Sequence, residues 1–220
     1  MADNYLNKTT NEMYRWFDIF NEKFFKNSLE KPIITIQKTR ANTRGWFTTE
    51  TVWKEKSEKE NAEEKTFHEI CISAQCLEIS NAEPIEEIVA ILLHEMCHYY
   101  NKANNVKDCS GNVHNKKFKS SAERVGLVVE KDKSVGWGYT SMSDELRAYM
   151  NEVVKPNEEA FEYFRSSPVK ESGGGGRKKN IFKYICPECG AEVKGKRDIV
   201  VKCGLCDVVM EMEDVESEDD

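Results

Sequence analysis

The sequence predicts an α+β domain followed by a small cysteine-based module, and three observations carry this. Short β-branched and aromatic runs fill residues 33–73, and a long apolar pattern of helical period follows over residues 84–100. Strands followed by helices, rather than a strict alternation, point to a helix packed on a small sheet. After the Gly-rich stretch at 172–176, two C-x-x-C pairs stand in the spacing C-x2-C-x13-C-x2-C.

The elements read as follows. Met13, Trp16, Phe17, Phe20, Phe24 and Phe25 recur at three- and four-residue steps, which predicts a helix over 9–28 with an aromatic core stripe. Pro32 opens a strand from Ile33 to Lys38, and Arg44 to Thr48 leads into a second strand at Val52-Trp53. The Lys- and Glu-rich residues 54–65 read as a solvated hairpin loop, and Phe67 to Ser73 as a third strand, with His68 structural or exposed rather than a ligand. Pro84 suits a first helical turn, with Asn81 as cap and Glu83, Glu86 and Glu87 near the positive end of the dipole. Asn115 to Leu127 reads as a short helix stopped at Gly126, and Trp137 to Tyr139 as a turn or short strand. Ser143 to Val154, capped by Ser143, and Asn157 to Ser166 read as two helices separated by Pro156. Ile199 to Val201 supplies a strand before the second cysteine pair.

The central helix contains His94-Glu95-Met96-Cys97-His98. Helical residues step by about 100°, so His94 and His98 share a face one turn apart and Glu95 lies beside them. Two imidazoles so spaced can bind one metal ion, with Glu95 near a metal-bound water, as in zinc peptidases. The plain alternative is two ordinary histidines on a core helix, but the chain has only four His and two of them fall here around a Glu. A catalytic zinc needs a third protein ligand, leaving the fourth position to water. His114, Asp108 and Glu123 are the downstream candidates, and His114 is chemically the strongest.

H-E-M-C-H, a spacer, His114-x-x-x-Phe118 and a C-terminal zinc ribbon together resemble the SprT-like metallopeptidase family, over roughly residues 9–206. The resemblance implies a zincin-like domain, with the active-site helix on a small sheet. It assigns His94, His98 and His114 as ligands of a catalytic zinc that carries a water, and Glu95 as the general base. Family members often have Gly beside the third histidine, whereas Val113 and Asn115 flank it here. Tyr139 is a candidate oxyanion donor.

Cys186, Cys189, Cys203 and Cys206 read as the ligands of a structural zinc, because four thiolates leave no open position. Two zinc ions per chain are therefore expected. The organisation expected is a peptidase domain over 1–171, a linker over 172–180, a zinc ribbon over 181–210 and an acidic tail over 211–220.

Residues 177–202 hold eight Lys and Arg against three Asp and Glu, whereas the whole chain carries −7. Arg177, Lys178, Lys179, Lys194, Lys196 and Arg197, with Tyr184 for stacking, suit sequence-independent contact with DNA. The resemblance adds that an animal member of the family acts on proteins crosslinked to DNA. The expectation is a zinc endopeptidase for DNA-associated or DNA-crosslinked proteins. The alternative is a nucleic-acid-binding or regulatory zinc protein with a weak or silent peptidase site. With no bilayer-length apolar run and no basic-then-apolar start, no membrane role is expected, and a monomer in the cytoplasm, or in a eukaryotic nucleus, is.

Overall fold

The computed structural model describes residues 6–40, 43–56, 64–78, 84–163, 165, 182–197 and 199–213. The chain divides into two compact units, Met1–Ser167 and Pro168–Asp220. Among the described residues, no helix is long and apolar enough to cross a membrane. The linker expected at 172–180 lies outside the described residues.

Helix α1 spans Asn7–Phe25 and buries Met13, Trp16, Phe17, Phe20 and Phe25, so its aromatic stripe is core. It stops short of residue 28 because Lys26 and Asn27 turn left-handed (φ 54° and 55°). The buried Asn21 side chain holds that turn, donating to the Leu29 carbonyl (2.8 Å) and accepting from its N–H (3.2 Å).

The first sheet uses β1 (Ile33–Gln37), β2 (Gly45–Phe47) and β5 (Glu69–Ser73) in the order β1-β5-β2. β1 runs parallel to β5 and β2 antiparallel, which leaves β2 at an edge. The strand expected at Phe67–Ser73 breaks at His68. Its first part, β4 (Thr66–Phe67), pairs with β3 (Trp53–Lys54) as the expected hairpin. His68 is structural: its carbonyl accepts from Ile33 N–H (2.9 Å) and its Nδ1 pairs with the Thr48 carbonyl (2.8 Å). Every residue of β5 is buried, as a central strand covered on both faces must be.

Helix α2 (Pro84–Ala103) is the centre of the unit, in contact with α1, β2 and β5. Ile88, Val89, Leu92, Leu93, Met96 and Cys97 are fully buried on it. Each large apolar side chain so buried contributes about 1.5–3 kcal/mol. The expected Asn81 cap and Glu83 lie outside the described residues.

Beyond α2 comes a second sheet of β6 (Cys109–Ser110), β7 (Val113–His114), β8 (Leu127–Asp132) and β9 (Gly136–Met142), ordered β6-β7-β9-β8. Between β7 and β8, α3 (Lys116–Arg124) is capped by Asn115, whose Oδ1 accepts from Lys117 N–H (2.7 Å), and Gly126 ends the segment at φ 89°. The turn or short strand expected at Trp137–Tyr139 is instead the middle of a seven-residue strand paired with an unexpected β8. Helix α4 (Asp144–Tyr149) has the expected Ser143 cap and closes in a π-helical turn, Met150–Val154. The helix expected from Asn157 is only a 3₁₀ turn, Glu158–Phe161. Here tertiary contacts override the helical pattern: Glu12 of α1 accepts the Asn157 N–H (2.9 Å), Thr9 takes the Ala160 carbonyl, and Phe161 stacks on Trp16 with centroids 5.1 Å apart.

The C-terminal unit is a three-stranded sheet of β10 (Phe182–Ile185), β11 (Glu192–Gly195) and β12 (Glu211–Glu213), in the order β11-β10-β12. No strand forms at Ile199–Val201, where Lys202 makes only an isolated bridge to Val209. β12 comes from residues expected to begin the acidic tail, because β10 needs a partner on its second edge. Residues 214–220 lie outside the described residues.

Candidate metal centres

In the N-terminal unit, three ring nitrogens converge. The Nε2 atoms of His94, His98 and His114 stand 3.1 Å, 3.2 Å and 3.1 Å apart. His94 and His98 come from consecutive turns of α2, and His114 ends β7 just before α3. The outward nitrogens fix the protonation. His98 Nδ1 faces the Asp108 carboxylate (2.7 Å) and His114 Nδ1 faces the Val135 carbonyl (3.0 Å); both oxygens only accept, so both Nδ1 atoms carry the proton. His94 Nδ1 is paired with Thr140 Oγ1 (3.0 Å). The Nε2 lone pairs of His98 and His114 therefore point at each other with no proton to share. Burial and the neighbouring imidazoles keep His94 and His114 below the ordinary histidine range, and a metal cation bound between the three nitrogens would relieve the contact. A tetrahedral ion with metal–nitrogen bonds of about 2.0–2.1 Å holds its nitrogens about 3.3 Å apart, close to the spacing present.

The competing ligand candidates are displaced from the triangle. Asp108 supports His98 from behind and also accepts from Asn101 Nδ2 (2.9 Å), which Ser121 Oγ braces in turn (2.7 Å). Glu123 is exposed on α3 and pairs with Lys119 (2.5 Å). Tyr139 is a correction: successive side chains of a strand face opposite ways, and its neighbours Gly138 and Thr140 face the histidines. Tyr139 therefore points away and is 51% exposed, so it is not an oxyanion donor.

Glu95 sits one residue round the helix, 6% exposed. Burial pushes its pKa up to about 7, with the Phe47 backbone of β2 and the neighbouring His98 acting in the opposite sense. A divalent cation beside it would pull that value down. Gly45 leaves room beside β2 for this side chain: a Cβ there would lie 2.7 Å from Ile91 Cγ2, 2.8 Å from the Cys71 carbonyl and 3.2 Å from Glu95 Oε1.

Several contributors escape a reading of motifs. Phe118 is fully buried, with its ring 4.5 Å, 4.5 Å and 4.6 Å from those of His94, His98 and His114, as an apolar floor. Two glycines across the sheet leave room for His114. A Cβ on Gly138 would meet His114 Nδ1 at 2.6 Å, and one on Gly136 the His114 carbonyl at 2.3 Å. The spacing Gly136-x-Gly138 is the available signal, but only the parallel pairing of β7 with β9 gives it meaning.

The second cluster is Cys186, Cys189, Cys203 and Cys206, with ligand atoms all within 4.8 Å of one another. Cys189 Sγ and Cys203 Sγ are 3.6 Å apart. Bonds of about 2.3 Å to a tetrahedral zinc place thiolates about 3.8 Å apart, so this set also fits. Both candidate centres are compatible with Zn²⁺. Cys71, Cys76, Cys97 and Cys109 are free thiols, the first three buried.

Of the residues expected to touch DNA, Arg177, Lys178 and Lys179 lie outside the described residues. Lys194 and Lys196 belong to β11 and its following turn, and the Arg197 guanidinium lies 5.3 Å from the Phe182 ring centroid. Tyr184 is a correction: it is 3% exposed and its hydroxyl donates to the Lys196 carbonyl (2.7 Å). A ring holding the core of a small sheet has no face free for a base.

A family model described as SprT-like matches residues 13–135, a span from α1 through all three histidines that ends at the edge of β9. No curated protein and no solved structure shows a significant match. That span is more than half of the chain and contains the assembled nitrogen triangle: the chain belongs to the SprT-like family.

Proposed function

We propose that the chain is a zinc-dependent endopeptidase of zincin-like fold, acting on proteins associated with or crosslinked to DNA. The observation that carries this reading is the convergence of three imidazole Nε2 atoms beside a buried glutamate. His94, His98 and His114 would hold the zinc, which supplies Lewis acidity toward the scissile carbonyl and toward water. Glu95 takes the proton of the attacking water and delivers it to the leaving amine. The edge of β2 offers its backbone to an extended peptide by strand addition. The four-cysteine ribbon carries a structural zinc and, through Lys194, Lys196 and Arg197 with Arg177, Lys178 and Lys179, contacts DNA backbone.

The test uses pure, zinc-loaded protein with a DNA-crosslinked protein substrate and the same substrate uncrosslinked, each with and without free DNA. Cleavage lost in Glu95→Gln, and stronger on the crosslinked substrate, supports the proposal. Cleavage indifferent to DNA leaves a general peptidase. No cleavage, with DNA binding intact, favours a regulatory zinc protein.

A further inference from the structure

The stripe of α2 that carries His94 and His98 continues to Asn101, one turn further along, and Asn101 is 2% exposed. A polar side chain that deep needs partners for its hydrogen-bonding groups. Its backbone carbonyl accepts from Val106 N–H (2.8 Å), which folds the chain back after the helix. Its amide faces two ways: Nδ2 donates to Asp108 Oδ2 (2.9 Å), and Oδ1 accepts from the Ser121 hydroxyl (2.7 Å). Ser121 lies one turn beyond Phe118 on α3, and its own carbonyl accepts from Cys97 Sγ (3.5 Å).

The Ser121 hydroxyl decides which way round the amide stands. Oδ1 only accepts, so the hydroxyl holds it toward α3 and leaves the NH₂ group toward Asp108. The reverse orientation would set an amide oxygen against a carboxylate. Asp108 Oδ2 then receives two donors, Asn101 Nδ2 and His98 Nδ1 (2.7 Å), and is pinned between them. The Asp108 backbone is held as well: its carbonyl accepts from the N–H of Asn115 (2.9 Å), the residue that follows His114 and caps α3. Asp108 therefore touches the second ligand candidate through its side chain and the neighbour of the third through its backbone, and Asn101 is the buried group that fixes it.

We propose that Asn101 is a positioning residue of the histidine centre, acting through Asp108 on His98, with Ser121 of α3 setting the orientation of its amide. The proposal rests on the reading of the three histidines as a zinc site and is independent of the substrate. A packing role gives a different expectation from a positioning role. For packing, Asp has the shape of Asn and should replace it well, whereas Ala leaves a hole. Positioning reverses that order. Asp removes the donor and sets a second carboxylate against Asp108, and the like charges push Asp108 away from His98. Ala only leaves Asp108 with one donor fewer.

The test is the affinity of the full-length chain for zinc alone, by competition with a chromophoric chelator at fixed neutral pH, with the four-cysteine site as internal reference. Asn101→Ala should weaken the histidine site by about tenfold, the low end for loss of an outer partner of a metal-bound histidine. Asn101→Asp should weaken it further, and Ser121→Ala should weaken it less. Ser121→Ala placed in the Asn101→Ala background should cost nothing more, because the hydroxyl acts only through the amide. An Asn101→Asp chain that loses less than Asn101→Ala makes the role one of packing and overturns the proposal. So does parent affinity in Asn101→Ala, and so do losses in Asn101→Ala and Ser121→Ala that simply add. Should Asn101→Asp fail to fold, Asn101→Ala and the double variant decide the matter without it. A parent chain with zinc only at the cysteines overturns the zinc reading itself, and is told apart because the loss is then present before any variant is made.

Discussion

Asp108→Ala separates a supporting role from a ligand role at the histidine centre. The Asp108 carboxylate accepts from His98 Nδ1 at 2.7 Å and from Asn101 Nδ2 at 2.9 Å. Removing it leaves the His98 N–H without its anionic acceptor, frees the ring to rotate, and makes Nε2 a poorer donor to metal. A hydrogen bond to a charged group contributes about 1.5–3 kcal/mol. Loss of an outer partner of a metal-bound histidine costs about 10–100-fold in affinity, which at about 1.4 kcal/mol per tenfold is the same range. The expected result is zinc affinity at the histidine site weakened by about 10–100-fold, with the four-cysteine site unchanged as an internal reference. The assay is competition with a chromophoric chelator at fixed neutral pH, followed by metal analysis at saturating zinc. At saturation the variant should still reach two zinc ions per chain. Unchanged affinity would show that the bond does not support the metal. A site that stays empty at saturation would make Asp108 a ligand and refute the reading of the nitrogen triangle.

Other outcomes follow from the same geometry. Metal analysis should find about two zinc ions in the parent chain and about one in His114→Ala, the remaining ion resisting until the cysteines are replaced. Glu95→Gln should keep both ions and lose about 10²–10⁴ in cleavage rate; activity within a few-fold of the parent would reject Glu95 as the base. Gly138→Ala should weaken zinc binding at the histidine site by chelator competition, because its Cβ would lie 2.6 Å from His114 Nδ1; full affinity would mean that β9 yields without cost. Glu12 accepts from Arg15 Nε (2.8 Å), Trp16 Nε1 (2.8 Å) and Asn157 N–H (2.9 Å), and despite the opposing effect of burial the Arg15 bond leads in holding its pKa below the ordinary carboxylate value. That stabilisation is present above the unfolded pKa, about 4.3, and is lost as pH falls through the lower folded value. Glu12→Gln should therefore destabilise the unit by about 1–3 kcal/mol at pH 7 by urea unfolding, with the gap closing in acid; a gap independent of pH would refute the charge argument.

The sequence by itself determined the elements whose signals are local. The aromatic repeat of α1, the apolar stripe of α2, the Asn115 start and Gly126 stop of α3, and the Ser143 cap each depend on a few neighbouring residues. Two candidate metal-binding groups were legible for the same reason: helical spacing places His94 beside His98, and C-x-x-C pairs are a local signature. Asp108 and His114 could not be told apart as ligands by spacing, because six residues of chain allow either to face the helix. Only the β6–β7 turn and the pairing of β7 with β9 send His114 into the nitrogen triangle and Asp108 to the back of His98. The hairpin of β8 and β9 was hidden because its inner face packs on α2 and α3 while its outer face keeps Val128 and Tyr139 exposed, which blurs the alternation. Tyr139 and Tyr184 show the same limit from opposite sides. Tyr139 was a candidate for a reacting oxygen and Tyr184 for a base; the outward facing of the first and the burial of the second overturn both readings. A strand shows a side chain to one face or the other according to register, and register is set by partners distant in the chain.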